Sequence, residues 1–198
     1  MTTPKGKYPI RERRYPSGGS APDGRHPEAR STRAPPAAGS LLGQEETIRR
    51  LAPSRATVLL LGGSADAKAL AARALHDRSP RAHHPFAAVD CSGLPPADLE
   101  EALFGEGPFG RSPVRDRPLP DGAIQRAEHG TLHVAAVDAL PLGLQPRFLR
   151  FLDEPRAVRV VASCDVDLAT LTRRGAFRAD LGERLALVCV HLSSEAAV

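Results

Sequence analysis

The run from Thr57 to His76, TVLLLGGSADAKALAARALH, constrains the fold most. Four apolar residues make a strand with no polar side, two glycines turn the chain, and an alanine-rich helix follows. A strand that is apolar on both sides needs cover on both faces of its sheet. The runs FAAVD (86–90), TLHVAAV (131–137), AVRVVAS (157–163) and LALVCVHL (185–192) read as strands in the same way. Helical segments are predicted between them at 68–78, 96–103, 122–128, 142–152, 166–173 and 178–184. This alternation predicts an α/β fold of three layers with a five-stranded parallel sheet, because right-handed crossovers lay helices on both faces.

The ordered part is expected to span 41–198. Residues 1–40 are rich in Pro, Gly, Ser and Arg and lack apolar periodicity, so they read as a disordered basic tail. Charge separates the same way: residues 1–40 carry a net +5 and the remainder −1. The predicted domain is therefore not itself basic, which argues against specific nucleic-acid binding by this chain. Cys91, Cys164 and Cys189 are far apart in sequence and form no CxxC, so neither a disulfide framework nor a zinc knuckle is indicated, and each reads as a small core residue. No run approaches the length of a membrane span, and a cytoplasmic location is expected.

The turn after the first strand raises two chemistries. In a loop of the form G-x-x-x-x-G-K-[ST], glycine amides and a helix N-terminus cradle phosphate while the lysine neutralises it. Gly62, Gly63, Ser64 and Lys68 fit part of that pattern; Ala67 and Ala69 stand at the second glycine and at the hydroxyl that would hold Mg²⁺. An alanine at position 67 would be strained by about 1–2 kcal/mol if the usual loop path required positive φ. A plain glycine turn in an α/β sheet accounts for the same residues. The other reading is a nucleophile elbow, G-x-S-x-G, centred on Ser64 with Asp165 and His191 following; Asp66 replaces its last glycine. His129 and His133 are spaced i,i+4 across a glycine and a strand, and His83-His84 lies in a polar loop, so all four read as structural or surface residues and no metal site is predicted.

Beyond the loop, the segments RALHDRSPRAHHPFAAVDCSGLP, EALFGEGPFG, GAIQRAEHGTLHVAAVDALPLGLQPRFLRFLDE and VRVVASCDVDLATLTRRGAFRADLGERLALVCVHL occur in an order and spacing of their own. From about Leu41 to Leu192 they resemble the central AAA+ domain of sigma-54-dependent transcription activators, the bacterial enhancer-binding proteins. The resemblance implies a P-loop NTPase core that hydrolyses ATP in a ring and contacts sigma-54 RNA polymerase through a GAFTGA loop. Against the family's GESGTGKE, this chain keeps Gly62, Ser64 and Lys68 and has Ala65, Ala67 and Ala69. The two acidic residues of the family's Walker B fall on Ala135 and Ala136, with Asp138 beyond the strand end, and its sensor asparagine falls on Asp165. GPFGRS, Gly107 to Ser112, resembles the polymerase-contact loop at Gly107 and Phe109 and lacks its threonine.

Arg178 and Arg184 resemble the family's arginine fingers, which act on a neighbouring subunit; as residues of an amphipathic helix they also read as solvated arginines. The helix opening the domain is expected to be short, from EETIRRLAPSRA. The chain stops after the fifth predicted strand, so the family's helical lid and helix-turn-helix are expected to be missing. No catalytic residue and no cofactor are assigned, with ATP on Gly62, Gly63, Ser64 and Lys68 as the alternative. The expected function is transcription regulation through protein contacts, by an ATPase-inactive domain whose partners are related AAA+ activator subunits or sigma-54 RNA polymerase. A non-hydrolysing nucleotide sensor and a non-functional remnant are the alternatives.

Overall fold

The computed structural model describes residues 41–105, 121–154 and 157–193. The tail, residues 1–40, and the contact-loop residues Gly107 and Phe109 lie outside the described residues. Helix α1 (Leu41–Leu51) leads into strand β1 (Val58–Leu61), then α2 (Ala65–Asp77), β2 (Phe86–Asp90), α3 (Pro96–Phe104), α4 (Ala123–Arg126) and β3 (Thr131–Ala135). A 3₁₀ turn (Val137–Ala139), α5 (Gln145–Asp153), β4 (Arg159–Cys164), α6 (Leu168–Arg173), α7 (Ala179–Leu185) and β5 (Val188–His191) complete the order. The strands form one parallel sheet in the order β2-β3-β4-β1-β5.

Strand alternation divides the core between the two faces. Leu59, Leu132, Val134, Val160 and Ala162 point to a large apolar layer completed by Leu99, Leu103 and Phe104 of α3, Phe148 and Phe151 of α5, and Leu181 and Leu185 of α7. Val58, Leu60, Val161 and Val190 point the other way, onto Ile48 of α1 and Ala71, Ala72 and Leu75 of α2. The three-layer expectation holds, with five helices on one face and two on the other among the described residues.

The second face also carries buried polar groups that the apolar reading of these strands did not anticipate. His76 of α2 and Thr131 are hydrogen-bonded, Nδ1 to Oγ1, at 3.0 Å, and His133 Nε2 lies 3.2 Å from Ser163 Oγ. Arg159, 1% exposed, donates to the carbonyls of Ala52 at 2.7 Å, Leu51 at 2.9 Å and Leu75 at 3.3 Å. These carbonyls lie at the ends of α1 and α2, where helical donors run out, although Leu51 also accepts from the Ser54 amide at 3.0 Å, so one guanidinium fastens both helices to the sheet.

Several boundaries differ from the sequence reading, among them the start of β5, predicted at 185 and found at Val188 because Leu185 closes α7. Two further differences also have local reasons. β3 ends at Ala135 because Ala136 adopts a left-handed conformation, φ 48° and ψ 48°, and starts the 3₁₀ turn. α2 begins at Ala65, three residues earlier than predicted, because Ser64 caps it. Among the cysteines, Cys91 and Cys164 are buried as expected, whereas Cys189 is exposed on the edge strand β5.

Candidate functional site

The loop after β1, the turn after β3 and the residues after β4 meet at the carboxyl edge of the sheet. In parallel α/β proteins, ligands bind at this edge, where the strand order reverses. Gly62 and Gly63 both have positive φ, 68° and 66°, and turn the chain sharply. A Cβ on Gly62 would stand 2.7 Å from the Leu192 carbonyl oxygen, so both conformation and space require glycine there. Leu192 also donates its amide to the Leu61 carbonyl at 2.7 Å. The loop therefore packs against the chain leaving β5.

Ser64 is the N-cap of α2. Its hydroxyl accepts from the Ala67 amide at 3.1 Å, and its carbonyl accepts from the Lys68 amide at 3.0 Å. Capping by serine satisfies a helix amide that would otherwise need an outside acceptor. Ala67 is consequently helical, and the strain expected of a positive φ at that residue does not arise. Ser64 has ordinary extended dihedrals, φ −78° and ψ 165°, rather than the strained turn of a nucleophile elbow, and its hydroxyl is committed to the cap.

Lys68 extends from the first turn of α2 into the sheet edge and is 3% exposed. Its ammonium is paired with the Asp165 carboxylate and donates to the Cys164 carbonyl at 3.3 Å. Asp165 follows β4 directly, and its side chain is 69% exposed. Asp138, carried past the end of β3 by the left-handed Ala136, accepts from the Asp165 amide at 3.4 Å through Oδ1. Three charged side chains thus lie in sequence across the edge, two negative and one positive. Burial, with Asp90 and Asp138 adding to it, pushes the Cys91 thiol up to about 12. Burial and Asp138 do the same to Cys164. Both thiols stay protonated, and neither is a nucleophile at neutral pH.

The pair is asymmetric, because Lys68 is buried and Asp165 is not. Asp165→Ala leaves an interior ammonium with one carbonyl and should cost about 1–3 kcal/mol, discounted from the fully buried case by the exposure of Asp165. Lys68→Met leaves a solvated carboxylate and should cost less than about 1 kcal/mol. Urea unfolding of the two variants measures the difference; a Lys68→Met loss larger than that of Asp165→Ala would contradict this geometry.

The two finger-like arginines do not share one environment. Arg178 is the N-cap residue of α7, and its guanidinium makes a two-pronged contact with Asp180, Nε to Oδ1 at 3.0 Å and Nη2 to Oδ2 at 2.6 Å. Both side chains are more than two-fifths exposed. Arg184, in the last turn of α7, donates to the Leu152 carbonyl at 2.9 Å and to Asp153 at 3.3 Å, tying α7 to α5. His129 is exposed while His133 is buried, so the i,i+4 pair does not converge.

A family model described as the sigma-54 interaction domain matches residues 38–191. The chain is 35% identical over 161 residues to the Nif-specific regulatory protein of Azotobacter vinelandii, covering 74% of this chain and 30% of that protein. It is 36% identical over 153 residues to the regulatory protein AtoC of Escherichia coli K12, covering 70% of this chain and 32% of that protein. It therefore spans about a third of the length of these relatives. Among solved structures, NtrX from Brucella abortus in complex with ATP is similar with a TM-score of 0.66 and 30% identity, over 76% of this chain and 36% of that one. The P-loop NTPase domain of an E. coli sigma-54 activator shares the fold, with a TM-score of 0.52 and 19% identity, over 70% of this chain and 97% of that one. On this combination of sheet order, loop position and family match, the chain belongs to the sigma-54 interaction domain family of transcriptional activators, with an AAA+ P-loop NTPase fold.

Proposed function

We propose that this domain acts in transcription regulation through protein contacts and does not hydrolyse ATP. The observation that supports this most is the pairing of Lys68 with Asp165 inside the site where a phosphate would sit. A lysine that neutralises phosphate must have its ammonium open to the ligand, and here a carboxylate of the same chain holds it. The other groups point the same way. The Ala67 amide is taken by Ser64, Asp66 stands in the first turn of α2, and Asp138 adds a further negative charge.

The residues present do not fit a magnesium nucleotide. Ala69 cannot ligate a cation, and the methyl groups of Ala135 and Ala136 can neither ligate one nor take a proton from water. The two amides that open α2, at Ala65 and Asp66, support the alternative of a site that binds nucleotide without turnover.

The partners that fit are related AAA+ activator subunits in the cytoplasm, with sigma-54 RNA polymerase as the other candidate; no specific DNA contact by this chain is proposed. An arginine offered to a neighbour needs its own position and not an intact site behind it. Arg178 pairs with Asp180 two residues along at the exposed start of α7, a local contact, whereas Arg184 is tied to Leu152 and Asp153 of another helix, α5, so Arg178 is the one we test as the offered residue. Coexpression with a full-length sigma-54 activator should give a complex that survives co-purification at micromolar concentration and alters the activator's ATPase rate. Arg178→Ala should remove most of that alteration, and Arg184→Ala should act mainly on stability. Failure to co-purify would sink the proposed partnership.

A further inference from the structure

A cavity of about 420 Å³ opens between the sheet and helices α6 and α7, and none of Gly62, Gly63, Ser64 and Lys68 lines it. We propose that it is a binding site for a small, uncharged and mainly apolar molecule carrying one hydrogen-bonding group. This inference does not rest on the reading of the phosphate loop.

The walls define the chemistry. Leu59 and Leu61 of β1 with Cys189 of β5 form the floor, and Leu168, Ala169 and Gly182 contribute to the roof. Such walls offer no compensation for desolvating a charge, which excludes an ion or a polyhydroxylated molecule from the interior. At the rim stand Arg173 and Glu183, a donor and an acceptor. Asp167 lies there too, but its oxygens accept from the Ala169 and Thr170 amides and the Thr170 hydroxyl, capping α6. A ligand hydroxyl or carbonyl at the mouth would find a partner in Arg173 or Glu183, while its body fills the interior. This is the usual build of a small-molecule pocket, in volume as well as in lining. A cavity of about 150 Å³ takes benzene, so this one has room for on the order of fifteen non-hydrogen atoms.

Gly182 makes the space. It lies inside α7, where glycine costs about 1 kcal/mol relative to alanine. Its backbone does not call for glycine, since it is not among the positive-φ residues. Crowding does not call for it either: a Cβ there would meet nothing closer than 3.9 Å, the nearest atoms being Phe177 Cδ1 and Thr172 Oγ1. What the missing side chain leaves is volume between α7 and α6, beside the Leu168 and Thr172 that also line the cavity. The edge strand β5 then places the exposed Cys189 thiol in the wall, a natural reporter because Cys91 and Cys164 are buried.

The test titrates the full chain with 2-naphthol and with 1-octanol, following binding by calorimetry and the alkylation of Cys189 by N-ethylmaleimide. The expected result is saturable one-site binding of at least one probe, with Cys189 alkylated at least tenfold more slowly at saturation. Gly182→Leu, which projects a side chain into the space, should weaken that binding at least tenfold with an unchanged circular dichroism spectrum. Should Gly182→Leu fail to fold, Cys189→Phe narrows the same cavity from the floor and should weaken binding equally. Three results overturn the proposal: no saturable binding of either probe, affinity unchanged in the folded variants, or a dimer in sedimentation that Gly182→Leu dissociates, which would give this face to a second copy of the chain.

Discussion

Between pH 7 and pH 4 the folded chain is expected to lose about 3 kcal/mol of stability through His133. This imidazole is 3% exposed in β3, and burial holds it down to about 4 from an ordinary 6.5, against a weaker upward pull from Asp90. Its folded pKa lies below its unfolded one, so the unfolded chain binds the extra proton first. The contribution is complete above pH 6.5, falls as the pH drops, and is gone near pH 4. Each unit of separation is worth about 1.4 kcal/mol, which sets the total. The difference in unfolding free energy between the natural chain and His133→Leu should change by that amount across the window. His76 is also held down, chiefly by burial, and drives the same trend in both proteins, so the comparison isolates His133. A difference that does not vary with pH would place His133 in water or on another partner.

The second large effect is expected at Arg159. Arg159→Met removes a guanidinium that donates to three backbone carbonyls; Ala52 and Leu75 lose that donor, and Leu51 keeps the Ser54 amide. A hydrogen bond to a charged donor contributes about 1.5–3 kcal/mol, and the relief of a buried cation offsets part of the sum. Burial, with Arg81 adding to it, already pulls the Arg159 pKa down, which marks that unfavourable component. A net loss of about 3 kcal/mol is expected, with α1 the first element to exchange its amides. Hydrogen exchange monitored by mass spectrometry resolves this; unchanged protection of α1 would show that Ile48 and Ala52 dock the helix without Arg159.

The sheet was legible because its strands are continuous apolar runs, and Val58, Leu60 and Val161 are buried as that pattern requires. The polar seam was not, since Thr131, His133, Arg159 and Ser163 are spread over two strands and become neighbours through the register that pairs Thr131 with Arg159. An arginine beginning a strand reads as an edge residue until the carbonyl ends of two helices are brought over it. At the site, Gly62, Gly63 and Lys68 stand out by their spacing, whereas Asp165 stands out by its resemblance to the family's sensor position. The ion pair between Lys68 and Asp165 does not stand out, because it spans 97 positions and depends on β1 and β4 lying side by side. Ser64, which fits both the alternative phosphate loop and the elbow, caps α2 in the structure, a role that a serine just before an alanine-rich helix also suggests. Gly182 drew no attention in sequence, because a helix glycine has no meaning until the space beneath it is seen.

Whether the phosphate site is closed by its own residues is decided by steady-state phosphate release from ATP with Mg²⁺, run beside equilibrium ATP binding on the same preparation. Release at buffer background is expected, with no change in either readout in Lys68→Ala, because that lysine is held by Asp165. Turnover above background that Lys68→Ala abolishes would contradict that closure.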